Sequence, residues 1–286
     1  MKRSKFEKII TRISDLPTLP TVAQRALSLI HNNRSRASDL QEIIELDPVL
    51  SARVLQLANS AYYRTPGADR VADVHRAVVV LGFMNIRNIV LTTCVRSMYG
   101  KEYRTKLFSA SDLWVHSVAV AVVARMIAER IDRSLVDEAF MAGIVHDVGI
   151  IVEWSTFPDL FPTVLQRFQG TGRSFIAAER DTLGFDHCAA GAAILRKWQL
   201  PQCLREVARH HHREKWNGHD QNRLVGIIQA AEQICCERGN GFFDFVNEQG
   251  ASAEALEAIG LTDDIYREAT ERMNEEMEKA KDILAL

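Results

Sequence analysis

The sequence lacks both a hydrophobic stretch long enough to cross a membrane and the apolar centre of a secretory signal. Its first residues, MKRSKFEKIITRISDLP, are basic, but no apolar run follows them. The longest apolar run, around residues 115–124, is too short for a membrane span and contains His116 and Ser117. We therefore expect a cytoplasmic protein that does not contact a membrane.

The sequence also lacks an excess of charge of one sign. Its number of cysteines is odd, so they cannot all form disulfide pairs. The chain has 35 basic and 37 acidic residues, a net charge of −2 that gives no general attraction to nucleic acid. No basic stripe with interleaved aromatic residues occurs, so no nucleic-acid partner is expected. The five cysteines, without an export signal, are predicted to be reduced thiols.

Strand signals are nearly absent, whereas helical periodicity extends over most of the chain. The only strand-like runs, residues 78–80 and 150–152, lie inside helical patterns. We therefore predict an all-α protein. The polar run 101–106 suggests a boundary between two helical parts, residues 1–108 and 109–286. The second part ends in an amphipathic packing helix that starts near Asp264.

Several short signals predict where helices begin and end. Asp47 followed by Pro48 is typical of an N-cap and a first helical residue. Ser38 or Asp39 is expected to cap the preceding helix, and Ser111 or Asp112 to begin a long helix that runs to Ile131. Gly82 is expected to end a helix in the left-handed conformation.

Histidines and carboxylates form an ordered series that suits a metal site. Five of the nine histidines belong to it. Imidazole and carboxylate ligands together suit iron, manganese, zinc or nickel without any thiolate. The series consists of His116, His146-Asp147, His187, His210-His211 and Glu232.

Each member of this series also has a simpler interpretation. His116 lies in a helix of valines and alanines, where a lone histidine is more often a satisfied core residue, and Asp112 lies one turn earlier on the same face. His146-Asp147 is a common pair, but Gly143 and Gly149 on either side would let helices or a ligand approach closely.

The other members likewise have alternatives. His187 could be an ordinary first-turn helix residue, and Glu232 could be paired with an arginine. Among residues 210–212, at least one histidine must face away from any site. The apolar register of the preceding residues points His211 inward with His210 beside it, and the alternative is an exposed polar helix end.

The spread of His116, His146-Asp147 and Glu232 resembles the HD superfamily of metal-dependent phosphohydrolases, whose last ligand is normally Asp. With His187 and His210-His211, the order is similar to the HD-GYP class, which hydrolyses cyclic di-GMP. In that class an acidic residue precedes the first histidine by one turn, and Asp112 occupies that place.

Over residues 10–240 the chain resembles HDOD (HD-related output domain) proteins more closely. The matching motifs of the first half are Leu16-Pro17-Thr18-Leu19-Pro20, Asp47-Pro48-Val49-Leu50, Leu57-Ala58-Asn59-Ser60 and Leu81-Gly82. Those of the second half are Trp114, His116-Ser117, residues 143–149, Asp186-His187, Gly191, Trp198-Gln199-Leu200-Pro201 and His210-His211. The resemblance implies a multi-helix HDOD fold and a bacterial regulatory or signal-transduction role.

The departures from the HD-GYP pattern affect catalysis more than metal binding. In the HD-GYP pattern a lysine normally follows the His-Asp-x-Gly motif, but here Ile150 occupies that position. No Gly-Tyr-Pro follows the histidine pair, and Glu232 replaces the Asp that is normally the last ligand. The resemblance therefore implies a signalling module with one or two divalent metal ions, iron or manganese first and zinc or nickel as alternatives. A signalling protein or a phosphorylated small molecule is its expected partner.

Two alternatives to this reading remain open. The first is an active phosphohydrolase, either a phosphomonoesterase or a nucleotide phosphodiesterase. In it, catalytic Asp147 would bridge two ions, with His116, His146 and Glu232 completing one ion and His187, His210 and His211 the other. The second is an interaction scaffold whose site holds no metal.

Overall fold

A computed structural model of the chain describes residues 21–30, 36–64, 67, 69–99, 108–171, 174–213, 223–242 and 252–286. The motif at residues 16–20 and the polar run at 101–106 lie outside these ranges. Within them the secondary structure is helical and no β-strand occurs, which confirms the all-α prediction. Residues 78–80 and 150–152, the strand-like runs, are both helical.

The helices of the described residues are numbered here in chain order. In the first third they are α1 (Thr21–Ile30), α2 (Ala37–Glu45), α3 (Pro48–Ala58) and α4 (Val74–Met98). The middle third contains α5 (Ala110–Ile131), α6 (Val136–Val145), α7 (Val148–Thr156), α8 (Phe161–Thr171), α9 (Phe175–Thr182) and α10 (His187–Lys197). The last part contains α11 (Gln202–His210), α12 (Arg223–Glu237), α13 (Ala253–Ala258), α14 (Asp263–Lys279) and α15 (Lys281–Leu284).

The chain forms two compact units. One contains Tyr99–Glu271, and the other combines Thr18–Met98 with Arg272–Leu286. These units differ from the division at residue 108 drawn from the sequence, because the last residues group with the N-terminal helices. In that unit α15 packs on α3, a contact between distant parts of the chain that local periodicity does not reveal.

Helix ends in the N-terminal unit follow the predicted chemistry at two of three places. The Asp47 side chain accepts hydrogen bonds from the backbone of Val49 and Leu50, at 2.9 and 3.1 Å, which confirms it as the N-cap of α3. The prediction of a cap at Ser38 or Asp39 is wrong. Helix α2 begins at Ala37, and Asp39 instead accepts from the Arg36 backbone N–H at 2.9 Å as part of a capping box.

Gly82 interrupts α4 as its sequence position predicted. Its φ of 77° lies in the left-handed region, so α4 consists of two helical segments joined at a kink.

By length and composition, α4 and α5 are both apolar enough to cross a membrane. However, 56% and 78% of their most apolar windows are buried inside the structure, as in the core helices of soluble proteins.

Helix α5 is the centre of the other unit, where it packs against α6 and α12. It begins one residue before the predicted start, with Ser109 as the N-cap. Helix α11 contacts both α6 and α12, and α7 packs against α10. The core of this unit therefore surrounds the junction between α6 and α7, and that junction is His146-Asp147.

Two glycines on either side of this junction permit unusually close helix packing. A Cβ atom on Gly143 would lie 2.3 Å from Ala121 Cα of α5. A Cβ atom on Gly149 would lie 1.9 Å from the carbonyl oxygen of His187 at the start of α10. Both distances are far below any real contact, so only glycine allows α5 and α10 to approach the junction. The sequence predicted that these glycines allow helices or a ligand to approach closely, and the structure confirms this for helices.

Candidate metal centre

Seven polar side chains converge on the junction between α6 and α7. Asp147 is the N-cap residue of α7 and is fully buried. The others are His116 of α5, His146 at the end of α6, His187 at the start of α10, His211 and His212 just after α11, and Glu232 of α12. Buried polar groups in such a core require partners, since desolvation otherwise costs several kcal/mol per ion.

The seven side chains form two groups of four that share Asp147. In each group, the four potential ligand atoms all lie within 4.8 Å of one another. The first group consists of His116, His146, Asp147 and Glu232, and the second of Asp147, His187, His211 and His212. Four nitrogen and oxygen donors at this spacing can surround one divalent cation.

The two carboxylate oxygens of Asp147 face different groups. Its Oδ2 lies 3.3 Å from His146 Nε2 and 3.8 Å from His116 Nε2. Its Oδ1 lies 3.2 Å from His211 Nε2 and 3.6 Å from His187 Nε2. A carboxylate placed in this way can bind one ion through each oxygen.

Backbone carbonyls fix the ring orientation of three of these histidines. The Nδ1 atoms of His116 and His146 lie 2.9 Å from the Asn240 carbonyl and 2.7 Å from the Gly143 carbonyl. His211 Nδ1 lies 3.1 Å from the carbonyls of Val207 and Ala208. A carbonyl oxygen can only accept, so Nδ1 must donate, and Nε2 is the nitrogen left for an ion.

His187 is oriented by a carboxylate instead of a carbonyl. Its Nδ1 lies 2.8 and 2.9 Å from the two oxygens of Glu179, and its backbone N–H donates to the same side chain at 3.2 Å. Glu179 and the nearby Glu153 are both fully buried. Burial raises the pKa of both carboxyls well above the usual range, and the charge of Glu179 raises that of Glu153 further. Both carboxyls therefore hold a proton more readily than exposed carboxyls do, and the Glu179 oxygens are the acceptors that face His187.

Several atoms of the first group suit a cation because they lie close to one another without forming hydrogen bonds. Each residue of the group contributes one buried atom that lacks a hydrogen-bond partner of acceptable geometry: His116 Nε2, His146 Nε2, Asp147 Oδ2 and Glu232 Oε1. All four point into the same space. A bound divalent cation would satisfy them together, so the residues present fit a metal ion.

The electrostatics of the carboxylates also suit a cation. Burial alone would raise the pKa of Asp147, but neighbouring histidines, His146 foremost, hold it well below its usual range. Burial also opposes ionisation of Glu232, yet His212 and His146 lower its pKa to about 2. Burial lowers the pKa of His116 and His212, so both rings are neutral at pH 7. Burial opposes the charged form of His146 and His187 as well, but Asp147 raises the pKa of His146 well above its usual value, and Cys188 and Asp147 raise that of His187 to about 10. Metal ions bind ionised carboxylates and neutral imidazoles, so an ion would displace a proton from these two rings.

The structure leaves two of the residues proposed from sequence outside both groups. His210 is half-exposed, and its Nε2 lies 3.3 Å from Glu206 one turn earlier. Helix α11 ends at His210, and of the two neighbours of His211 it is His212, not His210, that belongs to a group with Asp147. Asp112 is exposed in the first turn of α5, where a negative charge suits the helix N-terminus, and it belongs to neither group. The remaining six, His116, His146, Asp147, His187, His211 and Glu232, come together.

Three further residues of this centre differ from the sequence prediction. The apolar register predicts His210 beside His211, whereas His212 is the neighbour that joins a group. Glu179 is followed by the polar residues Arg180 and Asp181, but Glu153 is a carboxylate that directly follows the apolar residues 150–152. That pattern was the available signal, because a bare carboxylate in a core requires a buried partner.

We expect Glu179→Gln to weaken metal binding by about 10–100-fold, the usual cost of losing an outer partner of a ligand histidine. Glutamine keeps one acceptor oxygen and nearly the same volume, so the fold should be retained. One of the two oxygens that face His187 Nδ1 becomes an amide nitrogen, which cannot accept a hydrogen bond. Isothermal titration of the metal-free protein with Zn²⁺ or Mn²⁺ measures the affinity. Glu206→Gln is the matched control, because Glu206 contacts His210 outside both groups. Equal affinities in the two variants would contradict a positioning role for Glu179.

Comparison with known proteins places this geometry in context. The family model of the HDOD domain matches residues 16–214. A curated protein of Treponema pallidum (strain Nichols), called uncharacterized, is 26% identical over 233 residues, which cover 78% of this chain and 42% of that protein. The chain therefore spans less than half the length of this relative.

Solved structures resemble the chain over nearly its whole length. A Shewanella amazonensis SB2B protein, named as a candidate phosphohydrolase, is 25% identical with a TM-score of 0.75, over 96% of this chain and 97% of that one. A Marinobacter aquaeolei VT8 protein, named as a candidate signal transduction protein, is 24% identical with a TM-score of 0.75. That match covers 99% of this chain and 65% of the Marinobacter chain, and at this identity it shows the fold alone.

Proposed function

We propose that this chain, which belongs to the HDOD domain family, is a bacterial cytoplasmic signal-transduction module. In this proposal it binds divalent metal ions around Asp147. The main support for the metal site is the position of the Asp147 carboxylate, whose two oxygens face two separate groups of histidines. The regulatory role rests on the family and not on this geometry.

The donor set supports iron or manganese, with zinc or nickel as alternatives. Both groups combine imidazole nitrogens with carboxylate oxygens, and neither contains a thiolate. His116, His146 and Glu232 would hold one ion with Asp147, and His187, His211 and His212 a second ion. Bound ions would supply positive charge that holds these buried carboxylates in their ionised form.

Metal occupancy gives such a module a physical means of regulation. The ligands come from α5, α10, α12, the α6–α7 junction and the end of α11. An ion that binds only the folded arrangement stabilises it by about 2.7 kcal/mol at a concentration of 100 Kd. Presence or absence of metal would therefore change how firmly these helices are held, and with them any surface that a signalling partner contacts.

The test of this proposal is the metal content of the protein, purified without an affinity tag or added metal. We expect near-stoichiometric iron, manganese, zinc or nickel by mass spectrometry, and a lower metal content in His146→Ala and in His211→Ala, since each variant removes a ligand from one group. Circular dichroism should show that both variants remain folded. Absence of metal in the native protein, even after anaerobic reconstitution, would contradict the proposal and leave an interaction scaffold on a hydrolase-like fold.

A second candidate function, a phosphomonoesterase, is supported by a cavity of about 260 Å³ beside the second group. His212 belongs to that group and also lines the cavity. Arg180, Arg209 and Arg213 line it as well, and only Asp186, paired with Arg180 at 2.6 Å, opposes their charge. Guanidinium groups bind phosphate well. The volume lies below the usual range of about 300–1,000 Å³ for ligand sites, which favours a phosphoryl-sized group over a dinucleotide.

In this second function, the arginines would bind and orient the anionic phosphoryl group next to His212. Bound metal ions would supply Lewis-acid stabilisation of the charge that develops on phosphorus–oxygen bonds. The metal-loaded protein should then release inorganic phosphate from p-nitrophenyl phosphate. A lower rate in Arg209→Gln, but not in the control Arg196→Gln at an exposed position, would support catalysis. Metal binding without turnover would leave the regulatory module alone.

A further inference from the structure

The N-terminal unit has a cavity of its own that takes no part in the metal centre. Its volume is about 750 Å³, within the usual range for small-molecule sites. The end of α3, the segment that follows it and the C-terminal helix α15 supply its walls. The residues that matter here are Leu55, Gln56, Arg64, Arg70, Val71 and Asp282.

One asparagine holds the wall of this cavity in place. The Asn59 amide nitrogen donates to the carbonyls of Leu55 and Val71, at 2.8 and 2.9 Å. Its amide oxygen accepts from the Val71 backbone N–H at 2.9 Å. These bonds tie residue 71 to the end of α3 across the intervening loop. Asn59 also lies in the motif Leu57-Ala58-Asn59-Ser60, which the metal centre does not use, and here it preforms a binding wall.

Two arginines, Arg64 and Arg70, contribute positive charge to the lining of the cavity. Within the described part of the chain, neither Arg64 nor Arg70 has a salt bridge, and their guanidinium groups make no hydrogen bond. Guanidinium groups recognise phosphate oxygens through paired hydrogen bonds. The same cavity also holds the Asp282 carboxylate and the Gln56 amide, which would repel an anion or accept hydrogen bonds from a donor. A ligand that satisfies all four must therefore carry both an anionic group and hydrogen-bond donors.

Part of the cavity lining is apolar. Leu55 is half-buried and Val71 is buried, with 6% of its surface exposed. A flat or apolar body can pack on them and exclude water. We propose that this cavity binds a small phosphorylated molecule of nucleotide size, with its phosphate on Arg64 and Arg70 and a hydrogen-bond-donating base or sugar at Asp282 and Gln56. None of these residues belongs to either metal group, so this site does not depend on the proposed metal centre.

The experiment uses the full chain and titrates AMP, GMP, CMP and UMP by isothermal calorimetry. At least one should bind with a Kd below 1 mM, about the weak limit for a specific ligand. We expect Arg64→Gln and Arg70→Gln to weaken it at least tenfold, and the matched nucleoside without phosphate to bind at least tenfold more weakly. Arg76→Gln is the matched control, because Arg76 is exposed in the same unit and does not line the cavity.

Metal content, measured on the same samples, separates this site from the metal centre. The arginine variants should keep the metal of the wild type, and His146→Ala should keep nucleotide binding. If no nucleotide binds, or if binding survives both arginine substitutions, the proposed site is overturned. Loss of nucleotide binding in His146→Ala with retention in Arg70→Gln would also overturn it, since the ligand would then occupy the metal centre.

Discussion

Asp147→Asn is expected to abolish binding of both metal ions, whereas loss of a ligand from one group should spare the other ion. The two oxygens of Asp147 face His146 and His211 at 3.3 and 3.2 Å, one on each side of the shared carboxylate. Asparagine has nearly the same shape but no charge, and its amide nitrogen cannot bind a cation. The loss in affinity should exceed about 100-fold, because removal of an outer partner alone costs about 10–100-fold.

Metal-to-protein ratios by mass spectrometry, with calorimetric titration of the metal-free protein, measure this effect. We expect two ions in the wild type, near zero in Asp147→Asn, and one in His116→Ala or His187→Ala. Asp112→Asn is the matched control, since Asp112 is exposed in the first turn of α5 and lies outside both groups. It should retain both ions.

Two outcomes would contradict a shared carboxylate. Asp147→Asn could keep one ion at wild-type affinity, in which case Asp147 serves only one group. His116→Ala could lose both ions while still folded, in which case the centre is one cooperative site and not two adjoining groups. A loss of metal in Asp112→Asn would instead restore the ligand role proposed for Asp112 from sequence.

Local chemistry made much of the helical structure predictable. Asp47 and Gly82 behave as their residue types require, because capping and left-handed backbone conformations depend on few neighbours. The start of α2 was missed because Arg36 is not an ordinary capping residue, and the capping box places the carboxylate at Asp39 inside the helix. The grouping of residues 272–286 with the N-terminal helices depends on a long-range contact, which no local pattern specifies.

The metal centre was predictable in its ligand types but not in all its members. His146, Asp147 and Glu232 each stand in an apolar helical stretch, where a buried polar side chain requires a partner. His210 and His212 lie on either side of His211 at the end of α11, and helix ends are the least certain part of a periodic pattern. Glu179 reaches His187 from a separate helix, so only the packing of α9 near the start of α10 reveals it.

Gly149→Ala is expected to destabilise the protein by about 1–3 kcal/mol or more, the cost of overpacking a core. The added Cβ would lie 1.9 Å from the His187 carbonyl oxygen and 2.8 Å from the Gly191 nitrogen, and these backbone atoms cannot rotate away. Helix α7 must therefore move away from α10, which separates Asp147 from His187. We expect a lower Tm, by about 2–4 °C for each kcal/mol, together with weaker metal binding.

Gly191→Ala is the control on the opposite side of the same helix contact. Its added Cβ would lie 3.4 Å from the Gly149 nitrogen and 3.5 Å from Ala208 Cβ, which are ordinary contacts. Alanine also favours the helix by up to about 1 kcal/mol over glycine, so this variant should keep or raise the Tm. Thermal unfolding followed by circular dichroism compares the two variants in the metal-free protein. Equal Tm values would show that α7 and α10 can separate without cost, and close backbone packing would then not explain the glycine at position 149.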